Sequence, residues 1–226
     1  IDPARALHPV APGDPWRYEP GGRPAMALAP GIAPPHQSNT THLCAADEDG
    51  LAVSLTSTLM SSFGSGVVVP GTGVLLNNGM CWFDPEPGRP NSVAPRRRPL
   101  TNQTPAVVVD GQGARLAVGA SGGRRILDAV AQLIIKHVDY GMEPQAAITS
   151  PRMDCSEPRI LIDDRVGETT IAALAALGHE VTAVANDILV NPFASPTAIA
   201  YDRAAGTLRG GADQFYPAVP VGVDEC

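Results

Sequence analysis

Prolines crowd the first part of the chain and then thin out, which divides the sequence at a sharp point. Nine of the 23 prolines fall before residue 39, in a stretch with no hydrophobic periodicity. Such a stretch is typical of an extended arm or linker rather than of packed helices and strands. From Thr40 onward, alternating apolar and polar residues indicate β-strands. The sequence therefore predicts an arm over residues 1–39 and a sheet-bearing portion over residues 40–226.

Hairpins dominate the pattern of the sheet-bearing portion. Alternating residues at 40–46 and 51–59 flank an Asp-Gly turn, which predicts a β-hairpin. A second hairpin is predicted over residues 106–118, and a helix follows from residue 126 to about residue 140, where apolar residues keep helical spacing. Strands outnumber helices, so we expect an α+β fold in which antiparallel sheet carries helices on its faces.

Charge and cysteine spacing restrict the possible partners and cofactors. The net charge is −7 and the isoelectric point is near 5.1, whereas nucleic-acid binding needs a basic face, so we expect no nucleic-acid partner. No apolar stretch reaches the roughly 18 residues of a membrane span. The four cysteines show neither C-x-x-C spacing nor a histidine at metal-ligand spacing, so we expect no metal and no organic cofactor.

Ser121 is one candidate nucleophile. It lies in a Gly-x-Ser-x-Gly sequence at residues 119–123, between a predicted strand and a predicted helix, as in a nucleophile elbow. Asp163 and His179 follow in the order that an α/β-hydrolase uses. The preceding hairpins are antiparallel, however, whereas that fold needs parallel strands joined by helical crossovers. The glycine-rich turn has an alternative role, because its backbone N–H groups at a helix N-terminus can stabilise an anion.

Thr40 is the other candidate nucleophile. A threonine hydroxyl reacts poorly without an adjacent base, but cleavage of the bond between Asn39 and Thr40 would free an α-amino group. Such an amine has a pKa of roughly 7.7–8.0, close to the pH at which a general base works best. The Thr40 hydroxyl could itself attack the Asn39 carbonyl and make the cut. The alternative is a strand threonine without any chemistry.

Six short motifs in one order favour the reactive threonine. They are found at residues 40–42 (Thr-Thr-His), 53–58, 63–66, 73–78, 98–100 and 119–123. Together they resemble the small subunit of the γ-glutamyltranspeptidase family, which belongs to the N-terminal-nucleophile hydrolases. The resemblance covers Thr40 to about Gly211. It implies a four-layer αββα sandwich shared by two subunits, self-cleavage before Thr40, and a large subunit from the same precursor as partner, with residues 1–39 as its tail.

The resemblance also implies roles for four residues of the catalytic machinery. Thr40 would be the nucleophile and, through its freed amine, the base. Thr58 occupies the position whose hydroxyl bonds the nucleophile in this family. Gly122 and Gly123 match the glycine pair whose backbone amides form the oxyanion hole.

The residues that match the family's substrate-binding positions differ from its usual pattern. Met60 replaces an asparagine, and Trp82 replaces the aspartate that grips the α-amino group of a γ-glutamyl donor. Thr101 and Asn102 replace a serine pair that holds the α-carboxylate, and Asn78 completes the predicted substrate-binding set. Because a buried ammonium without a carboxylate partner is costly, we expect glutathione-like donors to bind poorly.

The sequence therefore predicts a self-processing threonine hydrolase that cleaves an amide or acyl bond of a non-standard small molecule through an acyl-enzyme on Thr40. Three alternatives remain: a C–C bond hydrolase of a bacterial antibiotic pathway, a true γ-glutamyl transferase, and an inactive scaffold or an α/β-hydrolase that uses Ser121. A bacterial cytoplasmic location is slightly favoured, and export remains open if a signal peptide lies upstream of Ile1.

Overall fold

The computed structural model describes residues 39–188 and 192–222. The predicted arm therefore lies outside the described residues except for Asn39, and its boundary at Thr40 stays a prediction. The chain folds as two compact units. Among the described residues, the first unit contains residue 39 and residues 59–101, and the second contains residues 40–58 and 102–222 without the gap at 189–191. No helix in the described part of the chain is long and apolar enough to cross a membrane.

The first unit has little regular structure. Its one short helix is a 3-10 turn at Gly79–Trp82, and a single antiparallel bridge joins Val68 to Leu75, as far as the structure describes the unit. The buried carboxylate of Asp84 organises the segment that follows. It accepts a hydrogen bond from the Glu86 N–H and pairs with the guanidinium of Arg89 at 3.2 Å. The Asp84 backbone also forms a parallel bridge with Ser92, in which the Asp84 N–H donates to the Asn91 carbonyl and the Val93 N–H donates to the Asp84 carbonyl. Side-chain and backbone hydrogen bonds therefore hold this proline-rich region together.

The second unit carries the described strands and α-helices. The strands are β1 (Thr40–Ala46), β2 (Ala52–Thr58), β3 (Ala106–Asp110), β4 (Gly113–Ser121), β5 (Met153–Asp154), β6 (Ile160–Asp163), β7 (Val181–Val184), β8 (Ser195–Asp202) and β9 (Thr207–Ala212). The helices are α1 (Ile126–Val138), α2 (Pro144–Thr149) and α3 (Glu168–Ala176). The predicted hairpins are present, because β1 pairs with β2 and β3 pairs with β4, both antiparallel.

The strands within the described residues form three sheets, and one pairing departs from the expectation. β1 and β2 form a two-stranded ladder, and the order β3-β4-β8-β9 gives a four-stranded antiparallel sheet. The third sheet has the order β5-β6-β7, in which β6 and β7 are parallel. A parallel pair needs a long crossover, and α3 provides it. The fold is thus α+β and mainly antiparallel, as predicted.

β4 lies at the centre of the second unit, because both of its faces are covered. Its Leu116, Val118 and Ala120 side chains pack with apolar residues of α1 and α2 in the main core cluster. α1 supplies Ile126, Ala129, Val130 and Leu133 to that cluster, which is the helical spacing that the sequence showed. α1 ends at Val138, two residues before the predicted end, and Gly141 then takes a left-handed φ of 65°.

The opposite face of β4 lies against the β1–β2 ladder. A Cβ atom placed on Gly119 would come within 2.1 Å of the His42 ring, so only glycine fits at this crossing. The adjacent Val118 carbonyl accepts a hydrogen bond from the Ser54 hydroxyl at 2.9 Å. Helices therefore cover one side of the four-stranded sheet and the β1–β2 ladder covers the other. β1 therefore packs against β4, which leads into the glycine turn at residues 122–123.

Candidate active site

The hydroxyls of Thr40 and Thr58 form the centre of the candidate site. The two residues face each other at the open end of the β1–β2 ladder, and residues opposite each other in an antiparallel pair share a face. Their Oγ1 atoms are 2.8 Å apart, which is a normal hydrogen-bond distance between hydroxyls. Thr40 is 8% exposed. A buried hydroxyl that is oriented by a hydrogen-bond partner suits the role of a nucleophile.

Asn39, which precedes Thr40, has defined partners within the first unit. Its carbonyl oxygen accepts a hydrogen bond from the Leu59 N–H at 3.1 Å. Its side-chain Nδ2 donates to the Ser62 hydroxyl at 3.3 Å. A donor on a carbonyl oxygen withdraws electron density from the carbonyl carbon, so the peptide group of Asn39 is both held and polarised.

His42 is buried in a polar network two residues beyond Thr40. Its Nδ1 lies 2.8 Å from the Thr56 hydroxyl, and its Nε2 lies 3.3 Å from both the Ser54 hydroxyl and the Cys44 sulfur. Because Ser54 donates its only hydroxyl proton to the Val118 carbonyl, it acts as an acceptor toward His42, which places the imidazole proton on Nε2. Burial lowers the pKa of His42 to about 4. The ring is therefore neutral at ordinary pH and serves packing and hydrogen bonding.

Cys44 lies in the same network and carries a protonated thiol. Burial raises its pKa above the ordinary value, although hydrogen bonds from its neighbours oppose the shift. Its sulfur donates to the Thr197 carbonyl at 3.7 Å. A thiol in this environment is a poor nucleophile. Among the described residues, no group of three or more His, Cys, Asp and Glu side chains is arranged to hold a metal ion.

The glycine turn after β4 exposes backbone N–H groups at the start of a helix. Gly122 has a φ of 139° and Gly123 has a φ of 66°, which L side chains rarely adopt. A Cβ atom on Gly122 would also lie 2.7 Å from the Ala194 Cα. Gly123 begins the 3-10 turn Gly123–Arg125 that leads into α1. In the described part of the chain, no backbone hydrogen bond outside helices and strands is donated by either glycine, so both N–H groups can meet an anionic oxygen.

Two arginines that the sequence analysis did not single out bind carbonyl groups near this turn. Arg125 binds the Gly122 carbonyl. Arg152 is buried, pairs with Asp213 at 3.2 Å and donates to the Ala194 carbonyl at 3.2 Å. Gly122 is three residues before Arg125, whereas Ala194 and Asp213 are 42 and 61 residues from Arg152. The partners of Arg152 therefore cannot be identified from the sequence without the fold.

The structure does not assemble a nucleophile elbow around Ser121. This serine is the last residue of β4, which is antiparallel to both of its neighbours. Asp163 ends β6 in a different sheet, where two hydrogen bonds from the Arg165 guanidinium hold its carboxylate. His179 is exposed after α3. Among the described residues, no hydrogen bond connects Ser121, His179 and Asp163.

Four of the predicted substrate-binding residues lie in the first unit. Met60 is half-buried and has a left-handed φ of 73°. Asn78 donates from Nδ2 to the Ser61 hydroxyl at 2.9 Å, while its buried Oδ1 accepts no hydrogen bond from the described residues. Trp82 is half-buried at the end of the 3-10 turn, and Thr101 is exposed.

The fifth, Asn102, lies in the second unit. Its carbonyl accepts a hydrogen bond from the Thr104 hydroxyl at 3.1 Å. The side chain of Asn102 is half-buried.

Sequence comparison relates the chain to one enzyme family. The family model described as Gamma-glutamyltranspeptidase matches residues 6–221. The glutathione hydrolase proenzyme of Bacillus subtilis (strain 168) is 34% identical over 216 residues, covering 94% of this chain and 35% of that protein. The acylase ACY 1 proenzyme of Pseudomonas sp. (strain V22) is 35% identical over 189 residues, covering 81% and 34%. The chain thus spans about a third of the length of these curated relatives.

Structural comparison agrees. The γ-glutamyltranspeptidase from Pseudomonas nitroreducens complexed with L-DON matches with a TM-score of 0.66 and 27% identity, over 81% of this chain and 100% of that chain. The cephalosporin acylase from Bacillus halodurans matches with a TM-score of 0.67 and 28% identity, over 77% and 32%. The chain therefore belongs to the γ-glutamyltranspeptidase family, a family of enzymes with the N-terminal-nucleophile hydrolase fold.

Proposed function

We propose that this chain is the threonine-bearing part of a self-processing hydrolase that cleaves an amide or acyl bond of a small molecule through an acyl-enzyme on Thr40. The 2.8 Å contact between the Thr40 and Thr58 hydroxyls carries the proposal. This contact orients the Thr40 hydroxyl. Because cleavage would make Thr40 the new N-terminus, its hydroxyl would be the nucleophile and its α-amino group would be the base. The relatives that are proenzymes support a precursor whose remaining part supplies a large subunit.

Self-cleavage would use the same hydroxyl. Thr40 Oγ1 attacks the carbonyl carbon of Asn39, the peptide C–N bond breaks, and its nitrogen takes the proton to give an ester on Thr40 with a free amine. Water then hydrolyses the ester and leaves a carboxylate on Asn39. The hydrogen bond from the Leu59 N–H to the Asn39 oxygen supports this step, because it stabilises charge that develops on that oxygen.

In substrate cleavage, the same Thr40 hydroxyl would attack a separate molecule instead of the Asn39 carbonyl. The freed amine of Thr40 takes the hydroxyl proton while Oγ1 attacks the substrate carbonyl carbon. The oxygen becomes an anion that the N–H groups of Gly122 and Gly123 stabilise. The substrate C–N bond then breaks, and the leaving amine receives the proton from the Thr40 ammonium. Water attacks the resulting ester and regenerates the enzyme.

For the substrate, we propose an acyl group that lacks the free ammonium of a γ-glutamyl donor. Trp82 and Met60 offer apolar surface where the family resemblance places polar groups. The buried Oδ1 of Asn78 accepts no hydrogen bond from the described residues, and a substrate N–H would satisfy it if binding exposed this atom. The acylase relatives support an acyl-amide substrate. The glutathione hydrolase relatives favour γ-glutamyl transfer or hydrolysis as the second candidate.

The test uses the full-length precursor and intact mass measurement. We expect a fragment that begins at Thr40, no such fragment from Thr40→Ala, and unchanged cleavage in Ser121→Ala. A panel of p-nitroanilides with γ-glutamyl, glutaryl and phenylacetyl groups then ranks the substrates. A wild-type chain that stays uncut after long incubation would overturn the nucleophile assignment. Activity that persists in Thr40→Ala and disappears in Ser121→Ala would restore the elbow alternative.

A further inference from the structure

The guanidinium of Arg125 contacts the glycine turn at residues 122–123. The side chain is half-buried, its Nε donates to the Gly122 carbonyl at 3.1 Å, and its Nη1 donates to the Pro192 carbonyl at 2.6 Å. The preceding Arg124 differs, because it is exposed and its Nη1 lies 3.5 Å from the Glu157 carboxylate. Two adjacent arginines thus have different environments, one directed at backbone carbonyls and one at solvent.

The Gly122 carbonyl and the Gly123 N–H belong to the same peptide group. In a trans peptide they point in opposite directions across one plane. A group that holds the carbonyl therefore also fixes where the N–H points. A cationic donor on the carbonyl polarises the whole peptide group, which makes the N–H a stronger donor. Arg125 can aim and strengthen the Gly123 N–H without touching the substrate.

The second contact of Arg125 stabilises the surroundings of the turn. Gly122 packs so closely on Ala194 that a Cβ atom would lie 2.7 Å from the Ala194 Cα. By binding the Pro192 carbonyl, the same guanidinium connects the glycine turn to the segment that forms this contact. The planar guanidinium serves two carbonyls at once, which the single ammonium of a lysine does less well.

We propose that Arg125 is a positioning residue for the reaction, which orients and polarises the Gly122–Gly123 peptide so that the Gly123 N–H stabilises the oxyanion. This inference rests on the proposed function, in which the two glycines supply the oxyanion donors. The effect appears only when negative charge develops on the substrate oxygen, so it raises kcat and leaves ground-state binding nearly unchanged.

The experiment compares Arg125→Gln, Arg125→Lys and the matched control Arg124→Gln in the full-length protein after self-cleavage. The substrate is the p-nitroanilide that the wild type hydrolyses fastest. Loss of a whole oxyanion donor costs about 10²–10³ in kcat, so we expect about a 30-fold loss for Arg125→Gln with KM within about threefold. Arg125→Lys should recover part of the loss, and Arg124→Gln should stay within about twofold of the wild type.

A second measurement separates positioning from a structural role. A boronic acid with the same acyl group forms a tetrahedral adduct with the nucleophile, and its affinity should fall in parallel with kcat across the variants. A wild-type kcat in Arg125→Gln, or equal losses in kcat and substrate affinity, would overturn the inference. So would a failure of both Arg125 variants to release Thr40, or a melting temperature lowered in both by more than about 10 °C. Activity that persists in Thr40→Ala would instead overturn the proposed function.

Discussion

The Thr40 and Thr58 hydroxyls share one hydrogen bond, so either oxygen can be the donor in the resting site. As Thr40 passes its proton to a base, its oxygen becomes an acceptor only, and the Thr58 hydroxyl must then donate to it. Thr58 is thereby expected to stabilise the attacking oxygen more than the resting one. This single contact is the part of the proposed mechanism that depends most directly on side-chain geometry.

Replacing Thr58 by valine keeps the shape of the side chain and removes the hydroxyl. We expect a roughly 10-fold lower kcat, because one such hydrogen bond contributes about 1–1.5 kcal/mol. Thr58→Ser is the control that keeps the hydroxyl and should lose much less. Steady-state kinetics of the self-cleaved full-length protein provide the measurement. Equal rates for the valine and serine variants would contradict the proposed role of Thr58.

A substitution at Trp82 tests the proposal that the substrate lacks the free ammonium of a γ-glutamyl donor. Trp82→Asp should create a carboxylate where the family resemblance places the partner of a donor ammonium. We expect kcat/KM for γ-glutamyl-p-nitroanilide to rise about 10-fold or more, since a charged hydrogen bond contributes about 1.5–3 kcal/mol. Trp82→Asn is the neutral control and should gain much less. If the wild type already prefers the γ-glutamyl substrate within the panel, the proposed apolar donor site is wrong.

At the scale of elements, the contact between the β1–β2 ladder and β4 depends on the absence of a side chain at Gly119. His42 fills the space above Gly119, and Ser54 connects the ladder to the adjacent Val118 carbonyl. The ladder carries Thr40, and β4 leads to the glycine turn. The relative placement of the proposed nucleophile and the proposed oxyanion donors within the second unit therefore depends on how closely these two elements approach.

Gly119→Ala should destabilise this contact. The added Cβ atom would lie 2.1 Å from the His42 ring, and forced overpacking costs about 1–3 kcal/mol or more. We expect the melting temperature to fall by about 3–10 °C. Gly111→Ala is the matched control, because nothing lies within 4 Å of its Cβ position. Thermal denaturation of the full-length protein measures both, and equal melting temperatures would show that the ladder does not pack on β4 in this way.

For the whole molecule, the buried His42 connects stability to pH. A histidine in an unfolded chain has a pKa of about 6.5, whereas burial lowers the pKa of His42 to about 4 in the fold. Between these values the unfolded chain binds a proton that the folded chain does not. The contribution is therefore fully present above about pH 6.5 and is lost as the pH falls toward 4.

We expect this effect to destabilise the protein by on the order of 2 kcal/mol at low pH. The melting temperature at about pH 4.5 should lie several degrees below that at about pH 7.5. His42→Gln keeps a polar side chain that does not titrate, so it should flatten the dependence over this interval. A His42→Gln variant with the same slope as the wild type would assign the pH dependence to other groups.

Sequence reasoning located the elements that depend on local patterns. The turn between β1 and β2, the period of α1 and the glycine turn all arise from residues close together in the chain, where alternation, helical spacing and glycine conformation act directly. The parallel pairing of β6 with β7 was not predicted. A strand pattern shows which residues alternate, but not which distant strand will donate the ladder hydrogen bonds.

By itself, the sequence determined the change of character at Thr40 and the order of the family motifs, because each motif consists of neighbouring residues. From these motifs the sequence predicted Thr40 as the nucleophile. The tertiary structure alone decided that the Thr58 hydroxyl meets Thr40, that the His42 ring occupies the space above Gly119, and that Arg125 binds the Gly122 and Pro192 carbonyls. Most of these contacts join residues far apart in the chain. Tertiary packing brings these residues together, because the conformational preferences of neighbouring residues do not specify contacts over long sequence separations.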